Sequence, residues 1–337
     1  MKSVILIAIV ATISAYDLSK KVKFADCDHE KDIEQGPFAP AQFLNITWND
    51  TIFYGWIPAG KKGQEFPLLT FMHGSTGQWE MYSDNLELYA SHGAVVIFPH
   101  IKSPEKDKHP LTTNTNGEFL LKSVDFAKAA NVDPESPLFG VVDLENVVYA
   151  GHSMGATCSI MASARSLPNT AKLTITQHPG ICGPFGPPPS PDTWMPHDLS
   201  AVSIDHPVLF TTATNDGAFW PAPLTAKHEL GCFKDSMIDG SVAAFAQFSA
   251  DACIKDHERD PFPDGGHNCP MKFADGGRPE TWWVLTAFKL YAQLDGDKGS
   301  KCYSMLWGSD SDSLQQSGDI EKFILKPEVP SATLFTQ

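Results

Sequence analysis

The chain has 337 residues, 42% of them hydrophobic and 19% charged, with a formal net charge of −15. That length fits one large domain with short extensions. An acidic balance without a basic run argues against nucleic acid and against anionic membrane surfaces as partners.

Met1-Lys2, the apolar run Val4 to Ile13 and the small pair Ser14-Ala15 have the order of a signal peptide cleaved near Ala15. The run is too short to span a bilayer and no later stretch is long and apolar enough, so no integral membrane segment is expected. Sequons at Asn45-Ile-Thr47 and Asn49-Asp-Thr51 agree with a secretory route. Seven cysteines, at positions 27, 158, 182, 232, 253, 269 and 302, suit an oxidising compartment. Cys158 is expected to be a buried thiol outside any disulfide. The other six allow three bridges, whose pairing sequence alone does not give. Cys253 with Cys269 is the preferred pair, because it would close the loop that carries His267.

The expected organisation is a leader over 1–15, a polar lead-in over 16–40, one domain over 41–302 and a surface tail over 303–337. Phe43 to Trp48 and Thr51 to Ile57 read as a hairpin around Asn49-Asp50. Phe66 to Met72 is an apolar strand that opens onto His73-Gly-Ser-Thr-Gly77. Residues 80 to 92 read as a helix stopped by Gly93, and Ala94 to Phe98 as the next strand. The polar stretch 101 to 117 reads as loop, Phe119 to Ala130 as helix, and Pro134 to Asp143 as loop. Leu173 to Thr176 is a strand before a Pro/Gly-rich loop, Pro179 to Pro196. Val208 to Thr212 is a strand, Pro223 to Leu230 a helix and Val242 to Phe248 a further strand. Arg278-Pro-Glu280 opens a helix that runs to about Leu294. Short apolar strands alternating with helices predict a mainly parallel sheet covered on both faces, an α/β fold with functional residues at the carboxyl ends of the strands.

The densest signal is Asn146-Val-Val-Tyr-Ala-Gly-His-Ser-Met-Gly-Ala-Thr157. A buried strand runs into Gly151-His-Ser-Met-Gly155, and a small-residue helix follows. Strand, G-x-S-x-G and helix is the pattern of a nucleophile elbow, with Ser153 at the corner and glycines where a Cβ would obstruct the turn.

A serine nucleophile needs a base, and the base needs an acid to orient it. Asp216, in Thr211-Thr-Ala-Thr-Asn-Asp-Gly217, lies just past a strand and is the expected acid. Asp205 and Asp239 precede strands, at the wrong end of the sheet. His267, in Asp264-Gly-Gly-His-Asn-Cys269, lies between the last strand and the last helix and is the expected base. His257 is its rival. The oxyanion hole would use the backbone N–H of Met154 and one from the His73-Gly74-Ser75 turn, with Ser75 expected and Thr76 second.

Phe71-Met-His-Gly-Ser-Thr-Gly77, Gly151-His-Ser-Met-Gly155, Ala213-Thr-Asn-Asp-Gly217 and Gly265-Gly-His267 together resemble the α/β-hydrolase superfamily. Within it, the chain is similar to the cutinase/PET-hydrolase-like and chlorophyllase-like esterases. The segment Trp282 to Asp297 is similar to the last helix of cutinase-type polyester hydrolases. Residues of about 40 to 305 carry the resemblance. Departures bear on substrate: the run from Phe248 to His267 is longer than the turn expected of cutinase-type enzymes. No cysteine follows Cys302 to form their carboxy-terminal disulfide. Met154 stands where a chlorophyllase is expected to carry Arg. The resemblance therefore implies an α/β-hydrolase fold and a Ser153-His267-Asp216 triad, and neither substrate is carried over.

The expected function is secreted carboxylic-ester hydrolysis through an acyl-enzyme, with a small-molecule, lipid or polymeric ester as substrate and no metal or cofactor implied. A chlorophyllase-like or phospholipid-ester hydrolase is the near alternative. A peptidase or amidase shares the triad, and a non-catalytic binding protein of hydrolase descent would share only the fold. A monomer is expected. The prolines of the 179–196 loop exclude a long helical lid, so an open cleft is expected, with Thr76, Trp194, Phe219, Trp220 and His178 at or near the substrate.

Overall fold

Successive residues of the central strands are buried on opposite faces, and they sort into two cores. Leu69, Phe71, Val96, Phe98, Val148 and Ala150 join one cluster. Their neighbours Leu68, Met72, Val95, Ile97, Val147 and Tyr149 join another. A strand covered on both faces reads as a continuous apolar run rather than an alternation. Burying a large apolar side chain contributes about 1.5–3 kcal/mol. That outweighs a strand-propensity scale of about 1 kcal/mol, which is why Leu68 and Leu69 sit comfortably in a strand.

A computed structural model of the chain describes residues 22–28, 34–60, 63–74, 77–100, 113–167, 170–179, 204–217, 243–249, 266–271, 279–308 and 320–326. Its strands are β1 (Gln42–Trp48), β2 (Thr51–Ile57), β3 (Phe66–Met72), β4 (Val95–His100), β5 (Val142–His152), β6 (Ala171–Gln177), β7 (Val208–Ala213), β8 (Ala243–Phe248) and β9 (Ile320–Lys326). They form one sheet in the order β1-β2-β4-β3-β5-β6-β7-β8-β9. Neighbours from β4 through β8 run parallel. β2 is antiparallel to both β1 and β4, and β9 is antiparallel to β8.

Five α-helices are described: α1 (Ser83–Ser91), α2 (Thr113–Val132), α3 (Met154–Arg165), α4 (Pro279–Phe288) and α5 (Lys301–Trp307). Residues of α1, α4 and α5 share the first core, and residues of α2 and α3 share the second. The sheet is thus covered on both faces, and the molecule is of α/β class. No helix among the described residues is long and apolar enough to cross a membrane.

The β1–β2 hairpin turns at Asn49 and Asp50, both with positive φ (47° and 61°), the conformation that a two-residue hairpin turn needs and that Asn and Asp tolerate.

Several boundaries differ from the expected ones. Helix α2 begins at Thr113, inside the stretch expected to be loop, because Thr113-Asn-Thr-Asn116 has no apolar period to read. Strand β5 starts at Val142, five residues before the apolar run. The last helix passes from α4 into a π-helical turn, Lys289–Gln293. The segment expected as a surface tail instead supplies most of α5 and all of β9, which lengthens the sheet.

The lead-in is not merely polar surface either. Cys27 is buried and is disulfide-bonded to Cys302 across a sequence separation of 275. Beside it, the Asp26 carboxylate accepts the backbone N–H groups of Cys27, Lys301 and Cys302. Burial pushes its pKa up, but these bonds and the nearby Lys289 outweigh that and hold it below the usual value. Cys158 is a buried thiol. Cys269 is disulfide-bonded, and its expected partner, Cys253, lies outside the described residues. So do the leader over 1–15 and the expected helix Pro223 to Leu230.

Candidate active site

Ser153 stands between the end of β5 and the start of α3 with φ 56° and ψ −120°. That left-handed backbone is costly for a residue with a Cβ and persists only where its surroundings over-determine it. Here the surroundings are two glycines. A Cβ on Gly151 would run into the backbone of Gly155, and a Cβ on Gly155 would run into the carbonyl oxygen of Met72. Strand and helix can meet this closely only because both positions lack side chains. The Ser153 N–H donates to the carbonyl of Gln177 on the next strand at 2.9 Å, which fixes the corner to the sheet. Met154 opens α3 and is buried. A Cβ on Gly74, at the end of the β3 turn, would lie 3.0 Å from the Ser153 Cβ, so the His73-Gly74 turn abuts the serine.

Asp216 follows β7 and is fully buried. His267 comes from the short 3-10 helix Gly266–Met271, whose first N–H donates to the carbonyl of Asn215 at 3.3 Å. The two side chains meet: His267 Nδ1 lies 2.9 Å from Asp216 Oδ2. A carboxylate can only accept, so Nδ1 carries the proton and Nε2 is left as the basic nitrogen. Burial would push the Asp216 carboxyl up. The charges and hydrogen bonds of His267 and His178 outweigh it and hold the group far below the usual carboxylate range.

A second set of bonds ties the His267 segment to the strand-to-helix corner. Gly74 N–H donates to the Tyr82 hydroxyl at 2.9 Å. The hydroxyl proton is then directed to His152 Nδ1, also at 2.9 Å. His152 Nε2 in turn donates to the backbone carbonyl of His267 at 2.7 Å. His152 is thereby a neutral imidazole with its proton on Nε2. Burial, with the nearby His267 and His178, depresses its pKa well below the ordinary value. In the same region His73 Nδ1 donates to the Gly74 carbonyl at 2.6 Å, and the ring stacks on Phe98 with centroids 5.5 Å apart.

His178, expected on a cleft wall, is placed elsewhere. It is fully buried, and both ring nitrogens face carboxylates: Nδ1 lies 2.9 Å from Asp216 Oδ2 and Nε2 lies 3.1 Å from Glu280 Oε2. Its φ of 47° turns the chain off the end of β6. Glu280, in the first turn of α4, was not singled out by sequence. The available signal was a carboxylate among Pro279, Trp282, Trp283, Val284 and Leu285. Of the other expected residues, Ser75, Thr76, Trp194, Phe219, Trp220 and the rival base His257 lie outside the described residues.

Among the described residues, the two groups around His178 whose donor atoms lie close enough to be weighed as metal ligands are His178, Asp216 and His267, and His178, Cys269 and Glu280. Neither donor set suits a metal. In the first, each histidine Nδ1 lies 2.9 Å from the same Asp216 oxygen, the spacing of a direct hydrogen bond, so neither nitrogen is directed at an ion. In the second, the Cys269 sulfur is in a disulfide and is not a thiolate.

The site holds a buried corner serine, an imidazole with its tautomer fixed and an ionised acid behind that imidazole. Such a group can activate a hydroxyl for attack on a carbonyl. Searches of the sequence against protein-family models and against curated proteins gave no match.

Proposed function

We propose that this chain is a secreted serine hydrolase of the α/β-hydrolase type, which cleaves carboxylic esters through an acyl-enzyme on Ser153. One observation carries the reading: the strained backbone of Ser153 at a strand-to-helix corner, on the same sheet edge as the 2.9 Å pair of Asp216 and His267. The strand order supports it too. A parallel run from β4 to β8, with β2 antiparallel beside it, is the layout the sequence resemblance implies, with nucleophile, acid and base in chain order.

In the proposed reaction, His267 Nε2 takes the Ser153 hydroxyl proton as Oγ adds to the ester carbonyl. The oxyanion is received by the Met154 N–H and by a donor from the turn after Gly74, with Ser75 the proposed residue and Thr76 the substitute. Collapse breaks the bond to the alcohol, which leaves with the proton from His267. Water then gives its proton to His267, adds to the acyl-enzyme and releases the acid and Ser153. Asp216 keeps the imidazole in the right tautomer and offsets its transient positive charge.

The test is a p-nitrophenyl ester chain-length series on the wild type and Ser153→Ala. Turnover that falls by about 10³-fold or more in the variant supports the reading and begins to define the acyl pocket. Folded wild type that turns over no member of the series would move the reading to a binding protein on a hydrolase scaffold.

A further inference from the structure

We propose that His178 and Glu280 are a buried positioning pair that holds Asp216 in place and tunes the charge that His267 faces. The proposal rests on the hydrolase reading above and extends the triad inward by two residues. The chain of contacts is continuous: His267 Nδ1 to Asp216 Oδ2 at 2.9 Å, Asp216 Oδ2 to His178 Nδ1 at 2.9 Å, and His178 Nε2 to Glu280 Oε2 at 3.1 Å. Glu280 Oε1 is itself fixed by Gln177 Nε2 at 3.0 Å and Thr211 Oγ1 at 2.6 Å. Four elements converge on the pair: the ends of β6 and β7, the 3-10 helix of His267 and the first turn of α4. All four residues are at most 3% exposed.

The protonation state follows from the donors. Both His178 nitrogens face carboxylate oxygens, so each must have a proton between it and its partner. An imidazole is a stronger base than a carboxylate, so the proton rests on the ring and His178 is an imidazolium. Burial works against this, but the Glu280 and Asp216 charges and bonds push its pKa up to about 10. Burial likewise pushes Glu280 up, while His178, Thr211 and Gln177 bring it below the ordinary value.

The charge count gives the pair its purpose. One imidazolium between two carboxylates leaves a single net negative charge, and protonating His267 during attack cancels it. Without Glu280, the His178 charge would neutralise Asp216 and leave nothing to balance the working base. Without His178, two carboxylates would be buried side by side, an expensive arrangement. Among the described residues, the other titratable groups around the pair are neutral or bonded. His152 of β5 has its ring 4.8 Å from His267 and 6.0 Å from His178 and is kept neutral by burial. Tyr89 of α1, near Glu280, and Tyr82 are pushed up by burial. Cys269 is in a disulfide. The left-handed φ of 47° at His178 is strain of the kind concentrated at functional sites.

Two measurements test the pair. The first is the pH profile of kcat/KM for His178→Gln with p-nitrophenyl butyrate. Removing a positive charge from beside the triad should move the acid limb up by about half a pH unit or more, with kcat reduced roughly 10- to 100-fold. The second is the histidine ring NMR spectrum of ¹⁵N-labelled protein. In the wild type, His178 should keep both ring protons from about pH 5.5 to about pH 9, and in Glu280→Gln a titration should appear inside that range. A folded His178→Gln variant whose acid limb stays within about 0.2 pH unit of wild type overturns the proposal, as does a singly protonated His178 in the wild type. Wild type that shows the NMR signature without ester turnover keeps the pair and removes the hydrolase reading.

Discussion

His152, the residue immediately before Ser153, donates its Nε2 proton to the backbone carbonyl of His267 at 2.7 Å. The strand-to-helix corner therefore does more than present Ser153: it grips the segment that carries His267. The same imidazole receives the Tyr82 hydroxyl proton, and that hydroxyl receives the Gly74 N–H. The Ser153 corner, the His267 segment and the β3 turn are tied through one neutral ring.

Breaking that ring of bonds should loosen catalysis more than folding. In Tyr82→Phe, the Gly74 N–H and His152 Nδ1 both lose a buried partner, at a cost of about 1–3 kcal/mol. The expected result is a Tm lower by a few degrees and a kcat reduced about 10-fold or more. Thermal melts and steady-state kinetics on the same preparation check both.

The two elbow glycines should resist any side chain. A Cβ on Gly155 collides with the Met72 carbonyl, which is backbone and cannot swing away. Gly155→Ala should cost about 2 kcal/mol or more, seen as a shifted denaturant midpoint with an unchanged slope.

Opening the Cys27–Cys302 bridge removes a constraint that spans 275 positions and unpins the lead-in from α5. Cys27→Ser with Cys302→Ser should lower stability by about 2–5 kcal/mol. Ester turnover at room temperature should be unchanged. Chemical denaturation and initial rates test the two halves of that statement.

Stability should peak near neutral pH, and the signs come from the histidines. His178 has its pKa raised from 6.5 to about 10, so its contribution is complete below 6.5 and is lost as pH rises through about 10. His73, His152 and His206 are depressed by burial, so their contributions are present above 6.5 and are lost as pH falls. Asp216 and Glu280 are depressed as well, and add to the acid loss. Tm should therefore fall on both sides of about 6.5: on the acid side through the three histidines and then the carboxylates, and on the alkaline side through His178 and then the buried tyrosines Tyr82, Tyr89, Tyr149 and Tyr291, which burial pushes up. In His178→Gln the alkaline decline should flatten. Scanning calorimetry across pH checks this.

What could be read from sequence divides by range. Gly151, Ser153 and Gly155 are a local pattern, and the strand before and helix after them lie within a few residues. Asp216 and His267 were legible from position alone, each just beyond a strand end, and the structure brings them to 2.9 Å. His178 was misplaced because a histidine followed by Pro179-Gly180 at a strand end reads as loop. Only the approach of α4, about a hundred positions later, shows that its ring is enclosed between two carboxylates. Strand β9 was missed for the same reason: Ile320–Lys326 is specified by pairing with β8, not by its own pattern. The fold class was legible because two-sided burial leaves long apolar strands, whereas the charge network depends on contacts between distant segments.

In the proposed reaction Ser153 is an activated nucleophile. Treatment of the folded protein with a fluorophosphonate, followed by peptide mass spectrometry, reads that activation on the residue itself. One adduct is expected, on Ser153, that disappears in Ser153→Ala and is formed at least about 10²-fold more slowly in His267→Ala. Folded wild type that stays unmodified, or an adduct on another residue that survives Ser153→Ala, would contradict it.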